Sequence, residues 1–184
     1  MKVPVAYPLV LALLAGVPAV SAAQPAAPAE APAGAEEDVA AEAPPHVLRL
    51  DGSEATRSRE AVVDPLDVGD PVLFGDRVDT GQAFVQMLWG DGTRVALDKD
   101  ARLDVLAADA LGVAAGRAVI VRPAGATASL RLDTPAAPVQ LGADGEYRVS
   151  IDGPTTTMVV VRGRATVDAG AQERVVEAGQ QIAL

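Results

Sequence analysis

The chain has no cysteine and no asparagine, a single histidine, and only 3% aromatic residues among its 184. Each shortage excludes something. Without cysteine there is no disulfide, no thiolate nucleophile and no cysteine-ligated metal. With His46 as the only imidazole, a multi-histidine zinc site lacks ligands, and a histidine-based hydrolase triad would rest on this one residue at the edge of the linker, where a passive role is simpler. With one Trp, two Tyr and two Phe, an aromatic-lined sugar cleft has little material, and the core must be aliphatic. Without asparagine, tight turns fall to Gly, Asp and Pro. No glycine-rich loop opens a helix in the manner of a phosphate cradle. No catalytic, cofactor-binding or metal-binding residue is therefore assigned, and no cofactor is expected.

What is present begins with export. Lys2 precedes an apolar run from Val5 to Val17, and Val20-Ser21-Ala22 or Ser21-Ala22-Ala23 forms a small-residue cleavage site. Residues 1–23 read as a secretory signal peptide, because the run is well short of the ~20 apolar residues a spanning helix needs. Residues 24–45 are an Ala/Pro-rich linker with an acidic run at Glu36-Glu37-Asp38, too poor in bulky apolar groups to offset its ordering entropy. The segment after the leader carries 14 basic against 25 acidic residues, a net charge of −11. Such a surface argues against nucleic acid and anionic lipid as partners. A periplasmic or secreted location follows, with no stable membrane insertion after cleavage.

From residue 46 onward the pattern has a period of two. The organising stretch is Gly75 to Val105. Ala83, Val85, Met87 and Trp89 share one face of a strand, while Phe84, Gln86 and Leu88 share the other. Gly90-Asp91-Gly92 then turns into Val95 and Leu97, a β-hairpin signal. Val72-Leu73-Phe74 reads as a short buried strand, and Glu54 to Val68 as a polar loop. Ala101–Arg117 could be one amphipathic helix, but the surrounding alternation favours two short strands, with Gly116-Arg117 as a turn. Tyr147, Val149 and Ile151 alternate in a further strand, Gly153-Pro154 turns, and Thr155–Val161 is rich in β-branched residues. Arg131–Gln140 aligns with Arg77–Gln86 at constant offset, and Arg148-Val149 with Arg94-Val95, which suggests an internal repeat. The fold class is all-β: short stacked hairpins in a compact twisted or β-solenoid-like architecture, with a two-sheet β-sandwich as the alternative.

Some residues could carry chemistry, and each has a plainer role. Asp91, Asp98 and Asp100 could cluster around a hard cation, but Lys99 sits between two of them and calcium-loop spacing is missing. Trp89 could be a sugar-stacking platform; a core position is simpler. Arg122, Arg131, Arg148, Arg162 and Arg164 could face an anionic ligand, though solvated strand faces account for them equally.

One resemblance gathers these pieces. Gly75, Asp76, Val78, Thr80 and Gly81, then an alternating strand, then Asp91, Gly92, Thr93, Leu97 and Leu103, resemble the FecR-like domain. The likeness continues through Leu132-Asp133-Thr134-Pro135, Gly145–Val149 and Val161–Ala165, covering residues 46–184. The resemblance implies an exported, non-enzymatic module that works by contact with another envelope protein, in signalling or as a scaffold. It does not extend to a cytoplasmic sigma-factor segment, so direct sigma-factor regulation is not expected. The chain stops inside an apparent strand, and relatives of this kind often continue. A cell-wall or polysaccharide-binding module is the alternative function.

Overall fold

The computed structural model describes residues 44–126, 129–168, 170 and 173–184. The leader and most of the linker lie outside them. Among the described residues there is no helix, and fifteen strands account for the regular structure. The all-β expectation holds. In chain order they are β1 (His46–Asp51), β2 (Thr56–Arg59), β3 (Val62–Pro65), β4 (Arg77–Asp79), β5 (Phe84–Leu88), β6 (Arg94–Leu97), β7 (Arg102–Ala107) and β8 (Ala110–Arg122). They continue with β9 (Leu130–Asp133), β10 (Val139–Leu141), β11 (Gly145–Asp152), β12 (Thr155–Arg162), β13 (Arg164–Asp168), β14 (Glu173–Glu177) and β15 (Gln181–Ala183).

The strands form two sheets that share β8. Sheet A runs β1-β5-β6-β8-β11-β12-β15, and sheet B runs β3-β2-β4-β7-β8-β9-β10-β13-β14. Every pairing is antiparallel except β8 with β9. The first half of β8 pairs with β7 and β9 in sheet B, and from Gly116 onward it pairs with β6 and β11 in sheet A. The bend falls at Gly116, whose φ of +78° is open to glycine at no steric cost. The sequence reading placed a turn there; the strand instead continues through it. The run from Ala101 onward is strand, not helix, because Leu103 and Val105 point inward while Arg102 and Asp104 point out.

The buried faces of both sheets feed one apolar cluster. Val85, Met87, Val95, Leu97, Ile120, Val149, Met158 and Val160 enter it from sheet A, and Val78, Leu103, Leu111, Leu132, Val139, Leu141, Ala165 and Val167 from sheet B. Full burial of each Val, Leu, Ile or Met stabilises by roughly 1.5–3 kcal/mol before entropy is subtracted. Aliphatic side chains suffice for this core because the strands are short and the layers close.

The motif residues prove to be corner pieces. The chain passes from sheet B to sheet A after β4, and back again between β6 and β7. Thr80 joins these two crossings. Its buried hydroxyl accepts from Ala101 N (2.9 Å) and donates toward Asp98 O (2.8 Å). Gly81 follows with φ +51°. Asp91 closes the β5–β6 turn by accepting from Thr93 N and Thr93 Oγ1, at 2.8 and 2.9 Å. Asp76, only 3% exposed, accepts from Leu73 N and from Arg59 Nε, both at 2.7 Å. This carboxylate turns the chain at Leu73–Gly75, so Leu73 and Phe74 are exposed loop residues and not the expected buried strand; Val72 alone is buried. Asp76→Asn leaves Arg59 and the half-buried Arg57 without their shared counter-charge. It is expected to cost about 2–4 kcal/mol, read as a lower urea midpoint with unchanged slope.

Two further differences have physical causes. Glu54–Val68 is not a loop throughout: β2 and β3 form a hairpin whose tip, Glu60-Ala61, carries φ of +48° and +71° without glycine. The usual hairpin residues are missing, so the turn left no mark in the sequence. The internal repeat is matched at its ends and broken in its middle. β4 and β9 both lie in sheet B, and β6 and β11 flank β8 on its two sides in sheet A. The intervening β5 joins sheet A, whereas β10 joins sheet B.

Candidate functional site

The outward faces of the two sheets differ in kind. On sheet B, opposite charges meet across or along the strands: Arg77 with Asp104, Arg102 with Asp79, Arg131 with Asp133, Arg164 with Glu177, at 2.6–2.9 Å. These groups satisfy one another and present a solvated, charge-paired surface. Such exposed pairs contribute at most about 1 kcal/mol each.

The outward face of sheet A is built on an apolar floor. Its register sets Gln86 beside Ala96, Ala96 beside Val119, Val119 beside Arg148, Arg148 beside Val159 and Val159 beside Gln181. The small side chain of Ala96 lies between larger neighbours and leaves a trough of about 470 Å³. Phe84, Ala96, Val119 and Val159 line its floor, with Arg117 and Arg148 on its rim. Arg49 lies over the Phe84 ring at 5.6 Å, a cation–π contact. Arg117 pairs with Asp98, Arg148 with Glu146, Arg49 with Asp51 and Arg162 with Asp144, all part-exposed. A shallow apolar trough with a polar rim has the make-up of a protein-docking surface.

A second exposed apolar feature lies at the free edge of sheet B. Val62 and Val63 of β3 are 60% and 63% exposed, on a short edge strand that Asp64 and Pro65 complete.

The candidate residues of the sequence reading are dispersed. Asp91 is engaged by Thr93, Asp98 by Arg117 and Asp100 by Gln82. Among the described residues no group of three or more His, Asp or Glu side chains is placed to hold a metal. His46 begins β1 and bridges to Pro71. Trp89 is 5% exposed and Tyr147 fully buried, so both are core residues. Of the five arginines read as solvated, Arg122 is an exception. It is 2% exposed, donates to Leu141 O at 2.6 Å and lies 3.7 Å from Asp91. From Arg117 onward its strand alternates strictly, with Val119 and Val121 outward, so Arg122 must point in. That alternation was the available signal.

The geometry thus defines a two-sheet β-domain with one charge-paired face, one apolar-floored face and corners set by a Gly-Asp-x-Val-x-Thr-Gly motif. Residues 76–166 match the family described as FecR protein, so this stretch of the chain is a FecR-family domain. Among solved structures, two crystal structures of a proposed anti-sigma factor from Parabacteroides distasonis ATCC 8503 are similar, at 1.65 and 2.50 Å resolution. Their TM-scores are 0.49 and 0.48, with 19% sequence identity. The alignments cover 59% of this chain and 54% of those chains, so this chain spans about half the length of those structures. No curated protein matches the chain. Among the described residues no helix is long and apolar enough to cross a membrane.

Proposed function

We propose that this chain is an exported, non-enzymatic protein-interaction module of the cell envelope, a signalling or scaffold component that docks a partner protein on the outward face of sheet A. The observation that carries the reading is the contrast between the two faces. Both outward faces carry ion pairs, but sheet A also gathers Phe84, Ala96, Val119 and Val159 into one water-facing trough. The FecR-family domain supports a regulatory role, and the leader-like residues 1–23 support export to the periplasm or beyond. The free edge of β3 offers a second mode, strand addition, to the same class of partner. Wall or polysaccharide binding is less favoured, since Trp89 and Tyr147 are buried and cannot serve as its stacking platform.

The test is crosslinking of the tagged, full-length protein in cells, alongside sedimentation with purified wall sacculi. A reproducible protein adduct, lost in a Val119→Glu variant that keeps its thermal midpoint, is the expected result. Sedimentation with sacculi and no protein adduct would move the assignment to wall binding.

A further inference from the structure

The trough differs from the rest of the domain in charge as well as polarity. Five arginines point outward from sheet A (Arg49, Arg94, Arg117, Arg148, Arg162), against five carboxylates: Asp51, Asp98, Asp144, Glu146 and Asp152. The other charged residues from His46 onward number nine basic against fifteen acidic. Sheet A's outer face is therefore balanced on a strongly acidic protein, and around the trough Arg94, Arg117 and Arg148 stand against only Asp98 and Glu146. Arg94 stands two residues before Ala96 on the same face, and its side chain makes no ion pair or hydrogen bond with a described residue. The side chains of Arg117 and Arg148 are 72% and 61% exposed, and their pairs with Asp98 and Glu146 contribute little in water. Both can exchange those partners for incoming carboxylates at small cost. The floor beneath them is narrow. It follows β6 and β8, with Phe84 on one side and Arg148 on the other. Its width suits one extended chain with every second side chain pressed onto Ala96 and Val119.

Resting on the docking role proposed above, we infer that the trough takes an extended segment of a partner protein in which aliphatic side chains alternate with aspartates or glutamates. The aliphatic groups cover Ala96 and Val119, and the carboxylates meet Arg94, Arg117 and Arg148. A second copy fits less well, because its own trough would oppose arginine to arginine. Beyond about one Debye length, ~8 Å in physiological salt, the acidity of the remaining surface is screened, so the local charge of the trough governs the contact.

The experiment uses the full chain and three fluorescent ten-residue peptides that alternate valine with glutamate, lysine or serine. Fluorescence anisotropy should show the glutamate peptide binding about ten-fold or more tighter than the lysine peptide. The Arg117→Glu/Arg148→Glu double variant, changed only at exposed positions, should keep its circular dichroism spectrum and reverse that preference. Equal binding of all three peptides, no binding, or a lysine preference in the unaltered chain would overturn the inference. So would concentration-dependent dimerisation abolished by Arg148→Glu, which would give the trough to a second copy. Glutamate-peptide binding seen only after Glu36, Glu37, Asp38 and Glu42 are replaced by serine would give it to the chain's own acidic segment. If crosslinking in cells succeeds at the trough while the peptides fail, the partner chemistry is wrong and the docking role stands. If crosslinking fails as well, the docking role itself is wrong.

Discussion

Gly116→Ala should cost this protein about 3 kcal/mol or more of its folding stability. Among the described residues β8 alone is common to both sheets, and Gly116 is where it leaves one for the other. Two costs fall together at that position. The φ of +78° is strained for any residue with a side chain, by about 1–2 kcal/mol. An added methyl group would also lie 2.5 Å from Ala101 Cα and 2.8 Å from Asp100 O. Those are backbone atoms of the crossing that Thr80 holds, so they cannot rotate away as a side chain could. Overpacking of this kind costs about 1–3 kcal/mol or more. The sum, about 3 kcal/mol or above, is a large share of the 5–15 kcal/mol typical of a domain. Urea denaturation followed by circular dichroism is the check. A midpoint within error of the unaltered protein would show that the bend is not needed to join the sheets. The expectation is specific to the site: Gly125 meets no atom within 4 Å and has no positive φ, so Gly125→Ala should be nearly neutral.

The second large effect concerns Tyr147, which ties β11 of sheet A to the start of β13 in sheet B. Its ring is fully buried, and its hydroxyl lies 2.9 Å from the carbonyl oxygens of both Gly142 and Arg164. One phenolic proton serves both acceptors, so Tyr147→Phe should cost about 1–3 kcal/mol by leaving them short of a donor. Tyr147→Ala should cost about 3–5 kcal/mol through the cavity. The ring can lie where it does only because Gly145 has no Cβ; one placed there would sit 2.2–2.4 Å from the Tyr147 ring and hydroxyl. Gly145→Ala is therefore strongly destabilising in the unaltered protein and close to neutral in a Tyr147→Ala background. That coupling in a double-mutant cycle is the signature of direct contact. Alkaline pH gives an independent check. Burial raises the phenol's pKa above its ordinary 10.0. The neutral form is the one the fold accommodates. Its contribution is complete below the unfolded pKa and declines as pH rises through 10 toward the higher folded value. Stability should fall above about pH 10, and Tyr147→Phe should flatten that fall. An identical alkaline slope in both proteins would mean that Tyr147 is not the titrating group.

How much of this was legible in the sequence depends on distance along the chain. The β5–β6 hairpin was, because Ala83, Val85, Met87 and Trp89 alternate with Phe84, Gln86 and Leu88 around an Asp-Gly turn, and both signals are local. The motif residues Asp76, Thr80 and Gly81 were visible, but not their work. Thr80 reaches Ala101 and Asp98, some twenty residues away, and no local pattern records such a reach. The β2–β3 hairpin was missed because Glu60 and Ala61 hold a turn that glycine or asparagine usually marks. Leu73 and Phe74 were misread as core because apolar composition alone does not show that Asp76 turns the chain beneath them. Gly116 was seen as a turn because a glycine before Arg117 looks the same whether the chain reverses or merely bends.

The trough was legible only in its parts. Phe84, Ala96, Val119 and Val159 each sit at outward positions of alternating strands, which any of the strands would allow. Their meeting depends on the strand order β5-β6-β8-β11-β12, in which β6 and β8 are separated in sequence by β7. That order is set by where the chain crosses between sheets, so it could not be read from periodicity.

The most direct test of the docking face compares two positions in living cells. A photo-crosslinking residue would be placed at Val119, on the floor of the sheet A trough, and separately at Gln140, on the outward face of sheet B. The account predicts a discrete protein adduct from position 119 and none from position 140. Adducts from 140 alone, or none from 119 in cells that express and export the protein, would contradict it.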